Sequence, residues 1–144
     1  MKKKFLIIPV IVIIIVVISM GSRTDQPDAK NEPFFHVTLA NPELYDAGIY
    51  SSTFVIEKGE YFFRFVPNGD SPQNLTISLE GGDFEFSENF QLNGIIHNTG
   101  ISEYYTWDYD GEKSILIQAQ KEIFLQINPN GNVLGSVSVD IIRK

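Results

Sequence analysis

The stretches EYFFRFVPNG (residues 60–69) and EIFLQINPNG (residues 122–131) repeat one pattern 62 residues apart. Each begins with apolar residues at alternate positions, which is the period of a half-buried β-strand. Each then reaches Pro-Asn-Gly, where Pro fixes φ and both Asn and Gly tolerate a positive φ, so that the chain can reverse. The repeated pattern therefore predicts two strands that end in turns built from the same residues.

The repeat continues over residues 52–80 and 114–142 without a gap, from Ser52 opposite Ser114 onward. We interpret it as two related three-stranded units that pack face to face. In the second and third strands of both units, the odd-numbered residues are apolar, and we expect them to point into a core. These residues are Tyr61, Phe63, Phe65, Leu75, Ile77, Leu79, Ile123, Leu125, Ile127, Val137, Val139 and Ile141.

Similar short runs, separated by turn residues, fill the sequence from residue 34 onward, and no segment after residue 21 keeps a helical period for three turns. Many short strands at this spacing indicate an antiparallel sandwich or barrel. We expect an all-β, jelly-roll-like antiparallel β-sandwich of eight or nine strands, preceded by one N-terminal hydrophobic helix. The strands are predicted at residues 34–39, 49–57, 60–66, 75–80, 90–96, 102–109, 113–119, 122–128 and 136–142.

The ending KEIFLQINPNGNVLGSVSVDIIRK (residues 121–144) resembles the closing hairpin of GOLD (Golgi-dynamics) domains, and GEYFFRFVPNGDSPQNLTISL (residues 59–79) is similar to it. The resemblance implies a lumenal or extracellular β-sandwich that binds other proteins. Sandwich domains of the pre-peptidase type are a second comparison. This chain lacks the cysteine pair of GOLD domains, so their trafficking role and binding residues are not carried over.

Residues 1–21 are predicted to be a signal-anchor or a signal peptide. Three lysines precede an apolar stretch from Phe5 to Ile18, which favours a cytoplasmic N-terminus and an exported remainder. A membrane span through residues 5–21 fits this segment, and so does cleavage near Gly21. Residues 22–33 form a polar linker, and residues 34–144 an extracytoplasmic domain. The expected location is the cell membrane, single-pass, or the exterior after cleavage.

Composition excludes several classes of function. The 144 residues contain no cysteine, which rules out disulfides, thiolate metal sites and cysteine catalysis. Without the three leading lysines, the chain has eight Lys or Arg against 18 Asp or Glu, a net charge of −10. Such acidity disfavours nucleic-acid binding. The expected partner is instead another envelope or surface protein, with a glycan as an alternative.

The sequence WDYDGEK (residues 107–113) raises the possibility of a calcium site. Asp108, Asp110 and Glu112 alternate around a glycine, and carboxylate oxygens suit this hard cation. The competing interpretation is that Asp110 and Gly111 form a two-residue hairpin turn between neighbouring strands. With calcium bound here, the chain would be a calcium-stabilised adhesion domain, and apart from calcium no cofactor is expected.

Aromatic residues alternate in EYYTWDY (residues 103–109). Tyr105, Trp107 and Tyr109 share one strand face and are expected in the core, while Tyr104 is the residue expected to be exposed. An exposed aromatic row is the alternative, and it would suit a carbohydrate-binding module.

The remaining candidate sites are individual residues. Asn68 and Asn130, in the Pro-Asn-Gly loops, are candidate ligand or partner contacts, and Asn74 begins the glycosylation sequence Asn-Leu-Thr. The carboxylates at residues 83–88 are expected on a solvated strand face. His36 is expected on an outward strand face and His97 in a turn. No convergent catalytic set is found, so a non-catalytic interaction module is expected rather than an enzyme.

Overall fold

Nine strands form two antiparallel sheets in the computed structural model, which describes residues 32–144. Sheet 1 has the strand order β1-β9-β3-β7, and sheet 2 has the order β2-β8-β4-β5-β6. The predicted all-β sandwich with two antiparallel sheets is confirmed. The strands are β1 Phe35–Leu39, β2 Tyr50–Ile56, β3 Gly59–Pro67, β4 Asn74–Gly81, β5 Phe84–Asn98, β6 Glu103–Asp110, β7 Ser114–Ile117, β8 Lys121–Asn128 and β9 Val137–Arg143, with a 3-10 turn at Pro42–Leu44.

The predicted N-terminal apolar segment and most of the polar linker lie outside the described residues. Within residues 32–144, no helix combines the length and the apolar character needed to cross a membrane.

The core lies between the sheets and is built from the alternating apolar positions. All twelve odd-numbered residues predicted to face it are buried. Its centre is aromatic: the ring centroid of Phe65 lies 4.8 Å from that of Phe90 and 5.1 Å from that of Tyr109. Burial of each such side chain stabilises the fold by about 1.5–3 kcal/mol.

The repeat is real, but its two units interleave instead of packing face to face. Strand β3, the middle strand of the first unit, lies between β9 and β7 of the second, and β8 lies between β4 and β2 of the first. The 62-residue shift also relates the registers, since Phe65 faces Val139 as Ile127 faces Ile77. The face-to-face prediction was wrong because alternation fixes the buried face of a strand but not the sheet in which it pairs.

The predicted alignment is also wrong by one residue in the first strand of each unit. Ser52 faces Leu125 on the core side of sheet 2, whereas Ser114 faces Phe62 on the outer side of sheet 1. The core positions Phe54 and Ile56 therefore correspond to Ile115 and Ile117, at a shift of 61.

Strand β5 is twice as long as predicted. Its first part, from Phe84, turns Phe84 and Phe86 toward the core and Glu85 outward, so a pattern interpreted only as solvated charge is a half-buried strand. Its last part runs past the end of β4, and this extension builds the candidate site.

Candidate functional site

The sandwich has two distinct ends. The described chain enters at the first end, where Phe34 N–H donates to the carbonyl of Ile141 (2.8 Å), and we call this end the attachment rim. At the opposite end lie the loops of residues 40–49, 68–73 and 129–136, and we call it the loop rim.

A β-hairpin projects past the loop rim, and we call its residues 93–107 the arm. Strand β4 begins at Asn74, which faces Gln91 of β5. From Asn93 onward, β5 pairs only with β6 among the described strands. A two-stranded ribbon without a third strand or a covering layer is marginally stable in water. The arm therefore depends on its base or on a partner.

Trp107 anchors the base of the arm. Its indole ring lies over Gly94 on the neighbouring strand, where an added Cβ would lie 2.7 Å from the ring. The same ring covers Gly69 in the first Pro-Asn-Gly loop, where an added Cβ would lie 3.2 Å away. The ring thus fixes the arm to the loop rim.

Beyond Trp107 the arm exposes apolar side chains on both faces. Ile96 and Tyr105 continue the core face of sheet 2, where sheet 1 no longer covers it, and Tyr105 stacks on Trp107 at 5.7 Å between ring centroids. On the outer face, Tyr104 stacks on His97 at 4.8 Å. Ile101, at the tip, is 99% exposed. The expectation for this row holds only in part, because Tyr109 is buried and Tyr104 exposed as expected, but Tyr105 is also exposed.

The arm is nearly free of charge in a strongly acidic domain. Among residues 93–107 the only Asp, Glu, Lys or Arg is Glu103. The other described residues, 32–92 and 108–144, carry six Lys or Arg and fifteen Asp or Glu. Exposed apolar side chains at a neutral projection are typical of an interaction surface.

Strand β6 is the outermost strand of sheet 2, and along the arm no strand within residues 32–144 pairs with its outer backbone edge. Leu92 N–H points away from β6, because it donates to the carbonyl of Gln73 (2.9 Å). Leu92 and its partner Tyr109 thus form a non-hydrogen-bonded pair, and by alternation so do Ile96 and Tyr105.

The N–H and C=O groups of Tyr105 and Trp107 therefore point to the free edge. Nearer the core this edge is blocked, since Tyr109 N–H donates to Asp108 Oδ1 (2.8 Å) and Lys113 Nζ pairs with the same carboxylate (3.0 Å).

The two Pro-Asn-Gly loops meet at the loop rim and brace each other. Asn68 Nδ2 donates to Ser136 Oγ (3.0 Å), and Asn130 Nδ2 donates to the carbonyl of Asn74 (3.0 Å). Ser136 and Asn74 are equivalent in the repeat, so each loop holds the strand start of the other unit. Asn68 and Asn130 were candidate partner contacts, and the structure brings them to one rim in these bracing bonds.

The predicted calcium ligands do not converge. Asp108 pairs with Lys113, Asp110 accepts from Asn93 Nδ2, and Glu112 accepts from Ser114 N–H (2.8 Å). Residues 32–144 hold no group of three His, Cys, Asp or Glu placed for a metal ion.

The alternative, a hairpin turn at Asp110–Gly111, is wrong, because β6 belongs to sheet 2 and β7 to sheet 1. The chain crosses between the sheets there, with Gly111 at φ +154° against Phe90, where an added Cβ would lie 2.6 Å from the ring.

The acidic stretch around the β4–β5 turn forms no paired-carboxylate site. An open depression of about 290 Å³ is lined by residues 80–85. Asp83 in it is 95% exposed and pairs with Lys121 (2.9 Å). Glu85 lies on the outer face of sheet 2, whereas Glu88 faces the core side and accepts from Glu112 N–H (3.3 Å).

A polar cluster on the outer face of sheet 1 was missed by the sequence analysis. Asp140 is 3% exposed, accepts twice from Arg64 (2.7 and 2.9 Å) and accepts from His36 Nδ1 (2.5 Å). Burial raises the pKa of this carboxyl, but hydrogen bonds from His36 and Arg64, together with their charges, outweigh burial and hold the pKa below its usual value. No local sequence signal links these residues, which belong to three different strands.

The order carboxylate, imidazole, hydroxyl continues to Thr38, whose Oγ1 lies 3.2 Å from His36 Nε2. Nucleophilic hydrolases share this order. Here, however, Arg64 binds the carboxylate, and Ser138 Oγ lies 2.9 Å from the Thr38 hydroxyl. The depressions lined by Leu116 lie at the attachment rim, away from the cluster. We interpret it as a structural ion-pair network.

The three remaining candidate residues, Asn74, His36 and His97, all lie on strands. Asn74 is exposed at the first residue of β4, and the following Leu75 is buried. His36 faces outward, as expected. His97 is not in a turn; it lies in β5 and contacts Thr106 Oγ1 (2.8 Å), because the strand continues to Asn98.

Comparison with known proteins adds one short similarity. No family model matches the chain, and no solved structure matches it significantly. A stretch of 47 residues is 43% identical to a UPF0538 protein of Dictyostelium discoideum. The match covers 31% of this chain and 38% of that protein's length. It leaves the function to be argued from the geometry.

Proposed function

We propose that this protein is a non-catalytic interaction module, anchored to the cell membrane by its N-terminal segment and exposed outside the cytoplasm, which binds another surface protein through the arm. The observation that carries the proposal is the arm itself, a hairpin with Glu103 as its one Asp, Glu, Lys or Arg and with five apolar side chains more than half exposed. Such a hairpin gains stability when a partner covers it. The GOLD-like resemblance, with its protein-binding sandwich, points the same way.

The ends of the sandwich support this arrangement. The chain enters at the attachment rim, and the arm projects from the loop rim at the other end. A polar linker of about twelve residues spans at most ~40 Å. An anchor before residue 32 would attach to the domain at the end opposite the arm and leave the arm free to meet a partner.

Site-directed cross-linking in native membranes tests the proposal. A photoreactive residue replaces Ile101 in the full-length chain, and in a matched control it replaces Val55, an exposed apolar residue on strand β2. The expected result is one abundant protein cross-linked at residue 101 and not at residue 55. With the probe at residue 101, the cross-link should disappear when Ile96 and Tyr104, which are exposed on the two faces of the arm, are both replaced by Asp, with unchanged thermal unfolding as the check on folding. Equal cross-linking at both positions, or a cross-link that survives these substitutions, would overturn the proposal.

Carbohydrate binding is a second candidate, favoured by the stacked rings of Tyr105 and Trp107 on one face of the arm. Aromatic faces stack on sugar rings, and this pair lies partly open at the loop rim. Titration of the full-length protein with cell-surface polysaccharide tests it, with Tyr105→Ala as the variant that should lose binding and Phe124→Ala as an exposed aromatic control. Equal binding by both variants would remove this candidate.

A further inference from the structure

The free edge of β6 is a strand-pairing surface of defined polarity. The outward N–H and C=O groups of Tyr105 and Trp107 lie two residues apart, which matches the spacing of the hydrogen-bonded pairs of an antiparallel ladder. Edges left open in this way pair with other strands, and proteins usually block them with charge or Pro. Here the block stops at Asp108 and Lys113.

We propose that two copies of this chain pair antiparallel through the distal half of β6, joining their second sheets into one. The inference rests on the proposed function of the arm as the binding surface, and it names the bound surface protein as a second copy of this chain. A second copy is as acidic as the first, so two copies repel over most of their surface. The arm reduces this repulsion, because it projects past the acidic domain and Glu103 is its only Asp, Glu, Lys or Arg.

The register follows from the edge. A ladder centred on Tyr105 sets Tyr105 opposite Tyr105 of the second copy and Glu103 opposite Trp107. A ladder centred on Glu103 sets two carboxylates directly opposite each other, which is destabilising. A ladder centred on Trp107 needs the N–H of Tyr109, which Asp108 already holds. Among the registers that set a hydrogen-bonding residue of β6 opposite itself, only the first avoids opposed carboxylates and blocked groups.

In the paired dimer, the attachment rims of the two copies lie at opposite ends of the assembly. Tyr105 faces Ile96, twelve residues along β5 from Phe84 at the attachment rim, a rise of roughly 40 Å. The rims of the two copies therefore lie about 80 Å apart. The contact joins two domains that approach head to head.

Cysteine cross-linking tests the register, and the absence of native cysteine leaves each introduced thiol alone. The Cα atoms of a hydrogen-bonded antiparallel pair lie about 5.5 Å apart, within disulfide range. In the full-length protein in detergent micelles, Tyr105→Cys should form a disulfide-linked dimer under mild oxidation at least ten times faster than Ile101→Cys. Ile101 is the more exposed position, so chance collision gives the reverse order. That reverse order, or equal rates, would overturn the proposal.

A proline comparison tests the backbone bonds. Tyr105→Pro removes an N–H that points to the free edge and leaves the bonds between β5 and β6 intact, as edge strands allow. Tyr105→Ala removes the same side chain but keeps the N–H. Sedimentation of the full-length protein should show that the proline variant dimerises more weakly, with a dimer dissociation constant about tenfold or more larger than that of the alanine variant.

Equal constants for these two variants would show that side chains alone make the contact, against strand pairing. A wild-type protein that stays monomeric, while residue 101 still cross-links to a different protein, would refute self-pairing and leave the proposed function standing. Loss of both the dimer and any arm-dependent cross-link would refute both.

Discussion

Trp107 lies across the backbone of Gly94, its direct partner in the β5–β6 ladder, and an added Cβ there would come within 2.7 Å of the indole ring. This contact fixes the arm at its base. It also makes the fluorescence of the single tryptophan a reporter of arm geometry.

Replacement of Gly94 by Ala should displace the indole ring. Overpacking of this size costs about 1–3 kcal/mol of unfolding free energy. Denaturant unfolding followed by tryptophan fluorescence should show a lower midpoint and a red-shifted native emission. Ser87→Ala, at an exposed position of the same strand, is the control and should change neither. An unchanged emission spectrum in Gly94→Ala would mean that the ring does not rest on this strand.

Asp140 should govern stability in acid. Its folded pKa is lowered, so its contribution is present above the unfolded pKa of about 3.9 and is lost as the pH falls through the folded value. Asp140→Asn removes the charged acceptor of the Arg64 and His36 hydrogen bonds and should lower the unfolding free energy by about 1.5–3 kcal/mol at pH 7.

The measurement is denaturant unfolding between pH 7 and pH 2, where the variant should show a flatter acid dependence than the wild type. Asp83→Asn, which breaks an open surface pair, is the control and should leave stability at pH 7 unchanged. A similar acid dependence in Asp140→Asn and the wild type would count against this assignment.

Two tyrosines with buried hydroxyl groups should respond oppositely to the loss of those groups. Tyr109 OH donates to the carbonyl of Pro72 (2.6 Å), whereas the buried hydroxyl of Tyr45 has no hydrogen-bond partner within residues 32–144. Tyr109→Phe should lower the unfolding free energy by about 1 kcal/mol, and Tyr45→Phe should leave it equal or raise it.

Burial, with a smaller effect of Tyr45, raises the pKa of Tyr109. The stability that Tyr109 contributes is therefore complete below the unfolded pKa of about 10 and declines as the pH rises above it. The unfolding temperature of Tyr109→Phe should therefore fall less with rising pH than that of the wild type. Thermal unfolding scans across pH 7–11 provide the comparison.

The two Pro-Asn-Gly triplets should rank substitutions in opposite orders. Asn130 has φ +52° at the centre of a turn closed by Asn132 N–H on the carbonyl of Pro129, whereas Asn68 is not among the residues with positive φ. At residue 130, Gly should be better tolerated than Ala, by about 1 kcal/mol, because only Gly enters this region without strain. At residue 68, Ala should be better tolerated than Gly. The measurement is thermal unfolding of the four variants, with Ala or Gly at residue 68 or at residue 130. The same order of stability for Ala and Gly at both sites would contradict the turn assignment.

Alternation along single strands was the strongest signal in the sequence. It located nine strands, with β5 predicted at only half its length, and it identified twelve core residues correctly, since a period of two depends only on which face of a strand is buried. It could not assign strands to sheets, because β3 and β8 would bury the same residues beside any partner. Because Asn68 and Asn130 are identical, the sequence likewise predicted the same turn in both loops. The two loops form different turns, because the residues that follow decide where each turn closes.

The exposure of the arm could not be predicted from the sequence, and the reason is physical. Tyr105 and Tyr109 have the same residue type and parity, and yet one is half exposed and the other fully buried. The difference lies in how far sheet 1 extends, a property of other strands. The membrane segment, the partner and the GOLD-like resemblance stay predictions.

The interleaved repeat has a consequence for biosynthesis. Strand β9, the final strand of the fold, lies in the middle of sheet 1 between β1 and β3. A chain that appears N-terminus first therefore presents β3, with its three core aromatics, long before the strand that must pair with it has been made. No half of the domain can close alone, and loss of residues 137–143 would leave two unpaired apolar edges rather than a smaller sandwich. We expect the nascent domain to need protection from aggregation until its last strand has emerged.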